Sequence, residues 1–183
     1  MRSSATDPDV PSPAGLRWSG ALRDGTPVEI RPLGPRDRQA EADFIEGLSP
    51  ESRRFRFMGQ FAHPSDALVR RLTSPDFVRD AAYAAVPAGE ERGPLLGVAR
   101  FAVDADGKRC ECAVVVADAW QGKGLATALL QHLVRAARAM GLEEMYSIDP
   151  PANARLRTLA RNFGFTCSPD PGNPGQLVHT LAL

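Results

Sequence analysis

The sequence predicts a mixed α/β domain in which a central sheet of about six to seven strands is flanked by helices. A length of 183 residues suits one domain. Apolar patterns of strand and helix period follow one another in the order β-α-α-β-β-β-α-β-α-β-β. A valine-rich stretch over residues 110–117 runs through a glycine-containing turn into the longest helical pattern. The domain is expected to span residues 21–183, after a disordered or loosely attached tail over residues 1–20.

Strand alternation and capping residues predict the elements before residue 108. Residues 28–33 alternate like a strand that stops at Pro32, and residues 37–48 carry an apolar stripe at helical spacing. Ser49 followed by Pro50 favours the start of the next helix, and Ser65 is expected to cap a short helix over residues 66–72. Strands over residues 80–86 and 95–103 follow. The sequence Asp104-Ala105-Asp106-Gly107 predicts a hairpin turn after them.

Glycine and asparagine delimit the elements of the second half. The β-branched centre of residues 110–117 favours a strand. Residues 122–140 form the long helix, because leucines recur at every fourth position and Gly141 is a good stop. A strand over residues 144–148 precedes a helix over residues 153–162 that ends before Gly164. Strands over residues 165–168 and 177–181 complete the chain.

Composition excludes several classes of protein. Hydrophobic residues make up 43% and charged residues 24%, as in an ordinary globular protein. The 22 basic residues balance the 22 acidic ones, so charge does not indicate a nucleic-acid partner. No apolar run approaches the roughly 18 residues of a membrane span, and the first residues lack the apolar centre of a secretory signal. Cys110 and Cys112 suit neither a disulfide nor a zinc site, which predicts core residues in a reducing cytoplasm.

The turn before the long helix has the chemistry of a phosphate site. Gly122 and Gly124 bracket Lys123 where backbone N–H groups converge, and the helix dipole adds about half a positive charge. A P-loop is excluded because Lys123 precedes Gly124. A dinucleotide-binding enzyme is a third, disfavoured alternative, because Thr127 stands in place of the third glycine of that fingerprint and no βαβ unit opens the chain. The structural alternative is an ordinary tight strand–helix turn.

The hexapeptide from Gln121 to Ala126 resembles the Q/R-x-x-G-x-G/A loop of the GNAT acetyltransferase superfamily. Residues 153–165 resemble its N-x-x-x-…-L-G-F helix, and the element order matches its fold. The resemblance implies that acetyl-CoA is the cosubstrate and that no metal is needed. It implies that the valine-rich strand binds the pantetheine arm of the cofactor and that the loop binds its pyrophosphate. It also implies that two residues of the next helix lie near the cofactor. The implied cofactor-binding residues are Val114, Val115, Val116, Gln121, Gly122, Lys123, Gly124, Leu125, Ala126, Thr127, Asn153 and Arg157.

The chain also resembles, more narrowly, the acetyltransferase domain of Pat-type bacterial protein lysine acetyltransferases. The segments that carry this resemblance are residues 30–32, 48–52, 96–100 and 111–116. In those proteins a glutamate at the position of Glu111 is the general base. Those proteins carry a fused nucleotide-binding domain, and none is expected within this sequence. The resemblance favours a protein lysine side chain as acceptor, and a small-molecule amine is the alternative. A non-catalytic coenzyme A-binding sensor is a second possible function. A cytoplasmic monomer or homodimer is expected, without a nucleic-acid or membrane partner.

Acetyl transfer to an amine needs a base. A lysine-like amine with a pKa of about 10.4 is neutral in only about one molecule in 2,500 at pH 7. Glu111 is predicted as the general base, because alternation places it on one strand face with Ala113 and Val115 while both cysteines lie on the other face. The structural alternative is that Glu111 pairs with Arg109 or Arg100 at a wet strand end.

The transition state and the leaving group also need partners. A backbone N–H of Val115 or Val116, freed by a local splay or bulge, is expected to bind the oxyanion. Ala160 holds the place of the tyrosine that often protonates the thiolate in this superfamily. With a thiol pKa near 8.5, solvent is expected to suffice. The arginines of the second helix, Arg53, Arg54 and Arg56, are interpreted either as a solvated face or as part of the acceptor side.

Overall fold

The computed structural model describes residues 12–57 and 63–183, and at its centre is an eight-stranded sheet in the order β1-β2-β3-β4-β5-β6-β8-β7. Neighbouring strands are antiparallel except for the parallel pair β5–β6. The elements in chain order are β1 (Trp18–Ala21), β2 (Pro27–Pro32), α1 (Arg38–Gly47), α2 (Pro50–Phe57), α3 (Asp66–Leu72), β3 (Asp80–Pro87), β4 (Gly97–Val103), β5 (Arg109–Val116), α4 (Leu125–Ala139), β6 (Glu144–Asp149), α5 (Ala154–Asn162), β7 (Thr166–Asp170) and β8 (Asn173–Ala182). The predicted mixed α/β class is confirmed.

The N-terminal segment differs from the predicted tail. Residues 18–21 form β1 and pair antiparallel with β2, which raises the strand count above the predicted six to seven. Leu16 is buried in the core, and the Tyr83 hydroxyl donates a hydrogen bond to the Pro13 carbonyl at 2.8 Å. Residues 1–11 of the predicted tail lie outside the described residues.

Local signals placed the other elements close to their predicted bounds. The Ser65 hydroxyl accepts a hydrogen bond from the Leu68 N–H at 3.2 Å, as expected of a helix cap. The predicted hairpin closes with Gly107 N–H donating to the Asp104 carbonyl at 3.0 Å. The last antiparallel pair, β7–β8, is less regular, because its register shifts between Pro169 and Asp170.

Two hydrophobic cores lie on opposite faces of the sheet. On the face that we call the α4 face, leucines of α4 pack with Cys110, Cys112 and Val114. On the other, the α1 face, Phe44 and Ile45 of α1 pack with Leu72 and Val115. Both strand cysteines are therefore core residues, as predicted. Within residues 12–57 and 63–183, no helix combines the length and apolar character needed to cross a membrane.

Candidate active site

Strands β5 and β6 are joined over three residue pairs and then separate. Arg109, Cys110 and Glu111 lie level with Glu144, Met145 and Tyr146. Beyond this point, residues 112–116 of β5 continue their pairing with β4, and residues 147–149 of β6 continue theirs with β8. An opening therefore forms between the C-terminal halves of two central strands. We call it the β5–β6 cleft, bounded by residues 112–116 and 147–149 and closed at Glu111.

Strand register determines which backbone groups of β5 face this cleft. In an antiparallel pair, residues that exchange both hydrogen bonds with the partner alternate with residues whose polar groups point away from it. The Ala117 N–H donates to the Leu96 carbonyl at 2.9 Å, and the Asp104 N–H donates to the Arg109 carbonyl at 2.8 Å. Odd-numbered residues of β5 are therefore bonded to β4. Val114 and Val116 direct their backbone groups to the cleft, whereas the Val115 N–H is directed at β4.

The freed N–H groups thus differ in part from the expectation. The register exposes those of Val116 and Val114 rather than that of Val115. The pairing with β4 is continuous from Gly97 to Val103, so the opening arises from the splay between β5 and β6 and not from a bulge in the β4–β5 pair. The Gln121 amide donates to the Val116 carbonyl at 3.2 Å, which shows that this carbonyl faces away from β4.

The side chain of Gln121 connects the loop between β5 and α4 to neighbouring helices through hydrogen bonds. Its Nε2 also contacts the Ser52 hydroxyl of α2 at 3.3 Å, and its Oε1 accepts a hydrogen bond from Arg155 of α5. Ser49 donates to Asp118 through both its N–H and its hydroxyl, each at 2.9 Å. The loop is consequently fixed to helices on both faces of the sheet.

The glycines shape the N-terminus of α4. Gly122 has φ of 78° and Gly124, the N-cap, has φ of 91°, a left-handed conformation that favours glycine. The next three residues, Leu125, Ala126 and Thr127, form the first turn, whose N–H groups have no acceptor within the helix. Such a turn binds anions well. The predicted loop residues therefore converge at one helix end.

Lys123 has partners in the turn between β1 and β2. Its Nζ lies 3.0 Å from Asp24 Oδ2 and 4.8 Å from the centre of the Trp120 ring. Hydrogen bonds from Thr26 and from Lys123 lower the pKa of Asp24 to about 2. The Arg23 N–H donates to the Lys123 carbonyl at 3.1 Å. This contact was not predictable from local sequence patterns, because it depends on the placement of β1 beside the loop.

Glu111 stands exposed at the closed end of the cleft. It lies on the α1 face with Ala113 and Val115, as alternation predicts, and α2 packs against this strand. Within residues 12–57 and 63–183 its carboxylate forms no hydrogen bond or ion pair. The arginines of the structural alternative bind elsewhere. Arg109 lies 2.8 Å from Glu144, and Arg100 donates to the Leu72 carbonyl at 2.7 Å.

The arginines of α2 do not form a uniform solvated face. Arg54 is exposed, whereas Arg53 donates to the carbonyls of Glu46 and Leu48 at 3.0 and 2.9 Å. Burial lowers the pKa of Arg56 to about 10, against the opposing charges of Glu41 and Glu111. Positive charge from α2 therefore lies close to Glu111.

The residues predicted near α5 have structural partners. The Asn153 side chain accepts a hydrogen bond from the Leu156 N–H at 3.1 Å and so caps α5. Ala160 is buried against the α4-face core. Arg157 lies close enough to Asp149 to favour the ionised carboxylate, although burial is the larger effect and raises the pKa of Asp149.

Sequence reasoning missed one buried pair at the cleft. His179 Nε2 of β8 lies 2.8 Å from Asp149 Oδ1 of β6, and both side chains are 2% exposed. The available signal was an aspartate directly after the strand predicted over residues 144–148. Its partner, 30 residues away, could not be assigned without the pairing of β6 with β8.

Comparisons with known proteins agree on one family. Residues 45–165 match the model described as the acetyltransferase (GNAT) family. An acetyltransferase of Pseudomonas aeruginosa is 41% identical over 171 residues, which are 92% of this chain and 91% of that protein. The crystal structure of the GNAT domain of S. lividans PAT is similar with a TM-score of 0.84 and 28% identity, over 91% of this chain and 97% of that chain. A ribosomal alpha-N-protein acetyltransferase in complex with coenzyme A shares the fold, with a TM-score of 0.64 and 14% identity over 85% of this chain and 94% of that chain.

Proposed function

The chain belongs to the GNAT family of acetyltransferases, and on that premise we propose that it transfers the acetyl group of acetyl-CoA to a primary amine, with Glu111 as general base and a protein lysine side chain as the favoured acceptor. The observation that carries the proposal is the position of Glu111. Its exposed carboxylate stands where the β5–β6 cleft closes, on the face where α2 packs.

We assign the cofactor to the loop and the cleft. The pyrophosphate binds the first turn of α4, through N–H groups of Leu125, Ala126 and Thr127 beside Gly122 and Gly124. From there the pantetheine arm runs back along β5 toward Glu111. The backbone groups of Val114 and Val116 that face the cleft supply hydrogen bonds to this arm and to the acyl oxygen.

The base is needed because the acceptor is protonated in solution. Removing the proton from a lysine-like amine at pH 7 costs roughly 4.6 kcal/mol. An exposed carboxylate beside the bound amine takes up this proton, directly or through water. The neutral nitrogen then attacks the thioester carbon, and the coenzyme A thiolate leaves.

The preference for a protein lysine rests on similarity and on access. The GNAT domain of S. lividans PAT resembles this chain over nearly its full length. Glu111 and the neighbouring Arg109 are both exposed, so a side chain from a large acceptor can reach the base. Positive charge at Arg56 favours an acceptor lysine flanked by acidic residues.

Replacing Glu111 by Gln tests the proposal. Glu111→Gln should lower kcat/KM by about 10²–10⁴ on the true acceptor, while acetyl-CoA affinity stays near the parent value. The loss should shrink as pH rises toward the amine pKa, since more of the acceptor is already neutral. Peptides with lysine in acidic and neutral contexts, and small amines, are compared by mass spectrometry with acetyl-CoA as donor.

A matched control separates chemistry from local charge. Glu144 lies on the adjacent strand and is already paired with Arg109, so Glu144→Gln should keep most of the activity. Full activity of Glu111→Gln at pH 7 would reject Glu111 as the base. Turnover confined to small amines would reject the protein acceptor, and cofactor binding without any turnover would indicate the sensor function.

A further inference from the structure

The buried pair of Asp149 and His179 lies beside the proposed path of the pantetheine arm. Glu111 of β5 is level with Tyr146 of β6, so three residues further along the strands Val114 and Asp149 face each other across the β5–β6 cleft. Val114 packs in the α4-face core, as does Met145, whose side chain shares a face with Asp149. Asp149 therefore lines the cleft from the α4 side.

One oxygen of Asp149 lacks a partner. Oδ1 lies 2.8 Å from His179 Nε2, whereas Oδ2 is buried without a hydrogen bond to any of the described residues. A buried polar atom without a partner is destabilising, because it has lost its hydrogen bonds to water without replacement. The arrangement becomes favourable when Oδ2 carries a proton and a ligand in the cleft accepts it. Oδ1 then keeps its hydrogen bond from His179.

We propose that Asp149, positioned by His179, donates a proton to the departing coenzyme A thiolate. This inference rests on the proposed function, because it takes acetyl-CoA to lie in the β5–β6 cleft. The thioester must lie near Glu111 for the acceptor amine to reach the base. Its sulfur then lies beside β5 between Glu111 and Val114, and Val114 is the residue that faces Asp149.

The tyrosines of the chain are engaged elsewhere. The Tyr83 hydroxyl donates to the Pro13 carbonyl at 2.8 Å, and the Tyr146 hydroxyl donates to Asp104 at 2.9 Å. Tyr146 also shares the α1 face with Glu111, whereas Asp149 lies on the α4 face. The proton acceptor and the proton donor thus stand on opposite faces of the sheet, with the thioester between them, and do not neutralise each other.

Glu111, Asp149 and water together account for the protons of the reaction. Glu111 first passes the proton of the ammonium group on to water. The neutral amine nitrogen then bonds to the acyl carbon and loses its second proton to Glu111. The C–S bond breaks, its electron pair goes to sulfur, and sulfur takes the proton of Asp149 Oδ2. The new Asp149 carboxylate is stabilised by the His179 N–H and by the charge of Arg157. Both carboxyl groups return to their starting states by exchange with water after the products leave.

Titration of the thiol group of bound coenzyme A tests whether Asp149 lies beside the sulfur, and it does not rely on turnover. In the complex of the parent protein with coenzyme A, an Asp149 carboxylate beside the thiol disfavours the thiolate. Asp149→Asn keeps the shape but removes that charge, so the ultraviolet absorbance of the thiolate should appear at a pH lower by about one unit or more. An identical titration in both proteins would overturn the proposal.

Turnover gives a second readout. Asp149→Asn should lower kcat by about tenfold or more, with little change in the KM of the acceptor. His179→Ala should also lower kcat, and His179→Gln, which retains an N–H for Oδ1, should restore part of it. If Asp149→Asn folds poorly, the two His179 variants test the proposal in its place. The control is His132→Gln, which alters a buried imidazole on α4 and should leave kcat near the parent value.

The failures of the two proposals are distinguishable. A parent protein that acetylates amines while Asp149→Asn and both His179 variants keep full kcat overturns the role of Asp149 alone. An equal loss of kcat in the His132→Gln control would also overturn it, because the effect would then be general to buried polar groups. A parent protein that does not bind coenzyme A overturns the proposed function and this inference together.

Discussion

Gly124 combines a backbone requirement with a place in the proposed cofactor site. Its φ of 91° strains any side chain, and a Cβ there would lie 3.3 Å from Arg23. Gly107 has a comparable φ of 72° in a remote hairpin with open space around it. The two glycines allow backbone strain to be separated from ligand binding.

Valine at either glycine should lower stability by roughly 1–3 kcal/mol, the usual range for a strained backbone. Only Gly124→Val should also remove the increase in melting temperature that acetyl-CoA causes, because the loop can no longer approach a phosphate closely. Differential scanning fluorimetry of both variants with and without acetyl-CoA measures this. A full cofactor shift in Gly124→Val would place the phosphate elsewhere.

His132 gives the fold a sensitivity to acid. Its ring is 2% exposed and lies edge-on to Tyr83 at 4.5 Å, and burial lowers its pKa from 6.5 to about 4. Between these pH values the unfolded chain binds a proton and the folded chain does not, so stability falls as pH falls. The expected loss is about 3 kcal/mol by pH 4.

Replacing His132 by Leu should remove this part of the acid sensitivity. Urea unfolding at pH 7 and at pH 4.5 should then show a smaller difference in unfolding free energy for His132→Leu than for the parent protein. An unchanged difference in His132→Leu would show that other groups cause it.

Among the elements, β1 shows how a short N-terminal strand is held. Leu16 packs in the α4-face core just before β1, whereas the adjacent Arg17 is half-exposed and pairs with Glu91 at 2.8 Å. Leu16→Ala should lower the unfolding free energy by about 2–4 kcal/mol. Arg17→Ala should lower it by less than about 1 kcal/mol. Chemical denaturation compares the two, and equal small effects would mean that β1 adds little to stability.

The elements that were predictable have local causes. A serine before a helix and an aspartate–glycine turn act within a few residues, which is why Ser65 and the Asp104–Gly107 hairpin stand where the sequence predicts them. β1 has only four residues and owes its conformation to pairing with β2, so its own sequence gave little signal.

Some features of the candidate site were likewise predictable from local sequence, and others depend on long-range strand pairing. Alternation along β5 was enough to place Glu111 opposite the cysteines, and the glycine loop was evident from its position before α4. The cleft, by contrast, depends on where β5 stops pairing with β6. The pair of Asp149 and His179 depends on the register of β6 with β8. Such long-range pairings are a property of the whole molecule and are not contained in any one segment.

At the scale of the whole molecule, the two outer strands of the sheet are both poor templates for further pairing. β1 has four residues, and β7 has five, with Pro169 and a register shift near its end. Short strands, proline and irregular register hinder the addition of a strand from another copy. The same features that limit these strands therefore protect the protein from edge-to-edge aggregation, and they direct self-association, where it occurs, to the helical surfaces.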